Sequence, residues 1–127
     1  MIFEHFAINV PDTRAVADWY IEHMNLKPLR RMKTEPYTTF LADSDGRVVV
    51  ELYSNPTQPF PDYNARHPLV FHWAFVSADP EKDSKRLIEA GASFEEKVEP
   101  APGTELIMLR DPFGIPLQLC KRSEPMI

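Results

Sequence analysis

The chain repeats itself at an offset of 67 residues, the separation of His5 from His72, and this duplication constrains the fold more than any single motif. The shift lays Ala7 on Ala74, Asp12 on Asp79, Ile21-Glu22 on Ile88-Glu89 and Leu52 on Leu119, while Glu51 falls on Gln118. Matching core and turn residues would follow from any duplication. Two histidines and a Glu/Gln pair at equivalent points also put metal-binding side chains in both halves.

Each half reads as the same order of elements. FEHFAINV alternates, with Phe6, Ile8 and Val10 on one face and His5, Ala7 and Asn9 on the other, the pattern of a strand with one apolar face. Asp12 stands as a capping residue before Val16, Trp19, Tyr20 and His23, whose three- and four-residue steps predict a helix ending near Asn25, with Trp19 and Tyr20 in the core. Strands follow around Leu29 to Met32 and Thr38 to Leu41, and as VVVELY after the Asp45-Gly46 turn. The second half repeats this with LVFHWAFV, a helix from about Pro80 to Ala90 closed by Gly91, strands near Phe94 and Leu106 to Leu109, and IPLQLC after Asp111-Pro112-Phe113-Gly114. The expected fold is α+β: two tandem βαβββ modules forming a curved mixed sheet with helices on its outer face.

Strand parity carries the chemistry. Phe71, Trp73 and Phe75 share one face and leave His72 and Ala74 on the other; Leu117 and Leu119 likewise leave Gln118 and Cys120 opposite. With helices covering the apolar faces, His5, Glu51, His72 and Gln118 project from the remaining face beside the small residues Ala7 and Ala74, and four such donors together point to a metal site. His23 and His67 show no comparable register and read as ordinary histidines.

Composition excludes several alternatives. With 127 residues and 43% hydrophobic content the chain reads as one domain, divided into module one at 1–53, a linker at 54–68, module two at 69–122 and a tail at 123–127. The net charge of −5 argues against nucleic acid, and Arg30, Arg31 and Lys33 read as a solvated strand face. The start lacks a basic lead, and the most apolar segment is short and broken by His72, so no membrane span is expected and the protein reads as cytoplasmic. Cys120 is the only cysteine, so an internal disulfide and a multi-cysteine zinc site are excluded within one chain.

The segments HFAINVPD through WYIEHMNLKPL, then VVVELYSN, FHWAFVSAD and LRDPFGIPLQL, resemble the vicinal oxygen chelate superfamily, which includes glyoxalase I, methylmalonyl-CoA epimerase, extradiol dioxygenases, fosfomycin-resistance enzymes and bleomycin-binding proteins. The spacing is most similar to bacterial-type glyoxalase I. The resemblance implies one divalent metal per site, of zinc, nickel, cobalt, manganese or iron, held by His5, Glu51, His72 and Gln118. It further implies a glyoxalase-like lyase or isomerase acting on a small α-hydroxycarbonyl or glutathione-type thiol conjugate through a metal-stabilised enediolate. Glu51 would be the catalytic base, because the fourth slot, a carboxylate in glyoxalase I, is Gln here. Asn55, four residues after Glu51, matches an Asn that helps hold glutathione, and Asn9, four after His5, stands where that family usually carries Arg. The alternatives are an extradiol-type ring-cleaving dioxygenase and a non-catalytic small-molecule or antibiotic-binding protein. The expected partners are a small-molecule substrate and a second copy in a homodimer, with the cleft formed within one chain or across two.

Overall fold

The computed structural model describes residues 1–47 and 49–126. Val48, the first residue of the expected VVVELY strand, and Ile127, the last of the expected tail, lie outside the described residues. The chain divides into two compact units, Met1–Pro61 and Asp62–Ile127. The first contains β1 (Phe6–Asn9), α1 (Thr13–Met24), β2 (Lys27–Arg31), β3 (Thr39–Ala42) and β4 (Val49–Tyr53). The second contains β5 (Trp73–Val76), α2 (Pro80–Glu89), β6 (Ser93–Ala101), β7 (Thr104–Arg110) and β8 (Pro116–Lys121). Both units are βαβββ, and the fold class is α+β as expected.

Each unit builds its own four-stranded mixed sheet, ordered β1-β4-β3-β2 in the first and β5-β8-β7-β6 in the second. The first and last strands of a unit are parallel neighbours and the remaining pairs are antiparallel. Parallel strands need a long crossover, which the helix and the two intervening strands provide. The register is the same in both units: Ala7 pairs with Glu51, and Ala74 with Gln118.

The duplicated aspartates perform one job twice. Asp12 accepts hydrogen bonds from the backbone N–H of Arg14 and Ala15, each at 3.0 Å, and Asp79 accepts from Lys82 at 3.1 Å. Such caps contribute about 1 kcal/mol each. α1 ends on Asn25, which takes the left-handed conformation (φ 56°) that Asn tolerates. In the first unit α1 packs on β3 and β4; in the second α2 packs on β6, β7 and β8. The cores formed there bury Tyr20, Leu41 and Leu52 in one unit and Leu87, Leu109 and Leu117 in the other. Trp19 is buried with Tyr20, as the helical spacing predicts.

The outer strands are longer and more charged than the sequence pattern suggests. β2 is exposed throughout, carries Pro28, Arg30 and Arg31, and has a register shift; β6 runs nine residues rather than a short stretch near Phe94, is exposed along its length and has two shifts. Charge, proline and bulges blunt a sheet edge against pairing with other chains. On β6 the Lys97 ammonium lies 2.6 Å from Glu81, 3.3 Å from Glu99 and 3.4 Å from Glu105, and the hydrogen bond it donates to Glu81 chiefly raises its pKa above the ordinary lysine range.

Because Leu52 is fully enclosed and Val76 is 90% exposed, truncating them has opposite consequences. Leu52→Ala is expected to cost about 2–5 kcal/mol in urea unfolding, and Val76→Ala no more than about 0.5 kcal/mol. Equal losses would contradict this core assignment.

Candidate functional site

In the first unit the residues predicted from the repeat do come together. His5 immediately precedes β1 and Glu51 lies on β4, which pairs in parallel with β1, so a side chain two residues before Ala7 meets the partner of Ala7. His5 Nε2 is 3.3 Å from Glu51 Oε2, and both side chains are partly exposed. The other ring nitrogen, Nδ1, bonds the Glu4 carboxylate. Phe40, the β3 partner of Glu51, sets its ring edge-on to the imidazole at 5.7 Å between centroids.

This arrangement demands a cation. An ionised carboxylate only accepts hydrogen bonds, so the bond to Glu4 places the proton of a neutral imidazole on Nδ1 and turns the Nε2 lone pair toward a Glu51 oxygen. Two lone pairs at 3.3 Å repel unless a proton or a metal ion lies between them. The same logic raises the His5 pKa: the hydrogen bond to Glu4 is the largest cause, partial burial opposes it, and the charges of Glu4 and Glu51 add to the rise.

In the second unit His72 immediately precedes β5, and Gln118 lies on β8 opposite Ala74. His72 Nδ1 is 2.8 Å from the carbonyl oxygen of Pro68. A carbonyl only accepts, so Nδ1 carries the proton and the lone pair of a neutral ring is on Nε2. Gln118 is half-buried, and its Oε1 lies 3.1 Å from the Cys120 sulfur. Burial pushes the Cys120 thiol up, with Arg122 opposing, which keeps it protonated as the donor. Both histidines therefore share one design: Nδ1 is held by an oxygen acceptor from nearby in the chain, the outer-shell bond that orients metal-binding imidazoles.

Among the described residues, no group of three or more His, Cys, Asp or Glu gathers around one point. The His5–Glu51 pair nevertheless has the spacing of two ligands of one ion. Donors each about 2.1 Å from an ion, at octahedral or tetrahedral angles, stand about 3.0–3.4 Å apart.

The two asparagines are tied to backbone. Asn9 is buried; its amide donates to the Asn55 carbonyl at 3.2 Å, and its oxygen accepts from the Asn55 N–H at 2.8 Å, extending the β1–β4 ladder by one rung. The Asn55 side-chain oxygen accepts from the N–H and hydroxyl of Thr57 at 3.0 and 2.6 Å.

Sequence reasoning missed the supporting groups. Glu4 was visible only as an acid next to a histidine, and Pro68 stood in a segment without periodicity. Arg110 adjoins the Asp-Pro turn but gives no local sign of its burial.

The sequence profile of the Glyoxalase/Bleomycin resistance protein/Dioxygenase superfamily matches residues 2–119. The chain belongs to this superfamily. Members usually bind a divalent metal, bind small molecules and often form dimers. Among solved structures, the chain is similar to a glyoxalase family protein from Bacillus cereus (18% identity, 94% of this chain and 93% of that one, TM-score 0.77). A glyoxalase family protein from Enterococcus faecalis has 26% identity over 94% of this chain and 96% of that one, with a TM-score of 0.67. The antibiotic-binding protein TnmS3 from Streptomyces sp. CB03234 has 20% identity over 97% and 99%, with a TM-score of 0.69. No protein of curated function matches the chain significantly. Among the described residues no helix is long and apolar enough to cross a membrane.

The His5 environment makes a titration prediction. Its folded pKa is raised above the unfolded value, so the stabilisation from its carboxylate partners is fully present below the unfolded pKa and is lost as pH rises through the folded one. In a metal-free NMR titration His5 is expected to titrate above the usual histidine value, and Glu4→Gln to move it down. A Glu4→Gln variant with an unmoved His5 midpoint would refute the assigned cause.

Proposed function

We propose that the protein is a metal-dependent lyase or isomerase of the glyoxalase kind, acting on a small α-hydroxycarbonyl or a thiol conjugate, with bacterial-type glyoxalase I as the nearest functional type. The observation that carries this reading is the 3.3 Å separation of His5 Nε2 and Glu51 Oε2, a spacing that two ligands of one ion also take. His5 and Glu51 would hold a divalent ion together with His72 and Gln118, each half supplying an imidazole and an oxygen. Zinc, nickel, cobalt, manganese and iron all suit this donor set. Such an ion, when bound, supplies Lewis acidity that polarises a substrate carbonyl.

The residues divide the remaining work. Glu51 is the only carboxylate of the set, so it is the group that takes a proton from the carbon beside the carbonyl. Gln118 is neutral and cannot accept that proton, so it binds and orients. Phe40 borders His5 and restricts water on that side of the pair. Asn9 holds the Asn55 backbone in place, and Asn55 stands at the mouth of β4 as the candidate contact for a thiol conjugate. A homodimer is the proposed assembly, because members of the superfamily often form dimers.

One observation favours a second reading, a non-catalytic small-molecule-binding protein. The fourth position is an amide whose oxygen is engaged by the Cys120 thiol, and the antibiotic-binding TnmS3 shares the fold. An extradiol-type dioxygenase ranks below both readings, since its carboxylate ligand belongs at the Gln118 position.

Elemental analysis of protein purified without chelators separates these readings. One divalent ion per site is expected, lost in His5→Ala. Binding should weaken as pH falls through the raised His5 pKa, because a proton competes for Nε2. A metal-free protein under every loading condition would eliminate the enzyme and leave the binding protein. With metal retained, Glu51→Gln is expected to lower turnover of a hemithioacetal by about 100-fold or more, while Gln118→Glu, which restores a second carboxylate, should raise it. Full turnover in Glu51→Gln would remove its role as base.

A further inference from the structure

We infer that Arg110 is a positioning residue for His72: its guanidinium docks residues 62–70 onto the turn Asp111–Gly114 and thereby holds the His72 proton on Nδ1. Arg110 ends β7 and is 8% exposed. Its Nε donates to the Glu95 carboxylate at 2.6 Å. The rest of the fork goes to backbone: Nη1 donates to the carbonyls of Tyr63 at 2.8 Å and Gly114 at 3.1 Å, and Nη2 to that of Arg66 at 2.8 Å. One side chain thus bridges the segment leading into β5 and the turn leading into β8.

The contact is close as well as polar. A Cβ on Gly114, which has a φ of +86°, would stand 2.5 Å from Asn64 Cγ, so the segment rests directly on the turn. Asp111 closes that turn by accepting from Phe113 and Ile115 at 2.9 and 2.8 Å. From the anchored Arg66 the chain turns tightly, with Leu69 N–H donating to His67 Nδ1 at 3.1 Å and Val70 N–H to the His67 carbonyl at 2.9 Å. The buried Pro68 sits inside this turn, and its carbonyl receives His72 Nδ1. The acceptor that orients His72 is therefore set by a segment with no strand or helix of its own, and Arg110 is what fixes that segment. In the first unit the position equivalent to Arg110 by its pairing with the last strand is Ala42, whose methyl group can dock nothing, while the next residue, Asp43, accepts from Asp45 and Arg47 N–H and closes its turn as Asp111 does. The device belongs to the second unit.

Lysine retains the charge but not the planar fork that reaches three carbonyls and a carboxylate together. The inference rests on the proposed function only for its effect on ion binding; the tautomer is read with no ion present. With isotope-labelled histidine ring nitrogens, at a pH where imidazole is neutral, wild-type His72 is expected in the Nδ1–H form. Arg110→Lys should shift it toward Nε2–H, leave His5 unmoved and weaken Zn²⁺ binding by about 10-fold or more. An unchanged His72 in folded Arg110→Lys overturns the inference. If that variant does not fold, Gly114→Ala, which displaces Asn64, should give the same shift, and its absence is equally decisive. A His72 shift in Arg110→Lys, together with a wild-type protein that binds no Zn²⁺, would keep the positioning role and remove the proposed function.

Discussion

The parallel pairing of the first and last strand in each unit is the constraint on which everything else depends. It places residues from the start of a module beside residues from its end, and only that register sets His5 against Glu51 and Ala74 against Gln118. Slipping either strand by one residue would turn these side chains to the opposite face and expose Leu52 or Leu117. The core and the candidate site are thus specified by the same hydrophobic pattern.

Around that register, acceptor-only oxygens set the electrostatics. His5 has a carboxylate at each ring nitrogen, and His72 has a backbone carbonyl at Nδ1. In both cases the acceptor determines which nitrogen can bind an ion. The two units reach this result by different means. Glu4 is adjacent to His5 in sequence, whereas Pro68 is held in place by an irregular segment docked through Arg110. The second unit therefore requires a buried charge that the first does without.

Much of this was legible in the chain. The offset between His5 and His72, the alternation of FEHFAINV and the aspartate caps lead directly to two βαβββ modules, because periodicity and capping are local properties of sequence. The adjacency of His5 and Glu51 was legible as well, since strand parity and a duplicated order of elements imply which residues share a face. The extent of β6 was not, because its nine exposed residues alternate imperfectly across two register shifts. Nor could the spacing reveal that Asn9 spends its amide on the Asn55 backbone.

By itself, the sequence determined the module architecture, the apolar faces, the caps and the superfamily, all of which follow from patterns repeated along the chain. Only the tertiary structure decided that Glu4 and Pro68 hold the imidazoles, that Cys120 engages Gln118, and that Arg110 unites a segment with a distant turn. Each of these is a hydrogen bond whose partner is chosen by distance in space, and for Arg110 the partners are backbone carbonyls, which every residue carries and no sequence pattern marks.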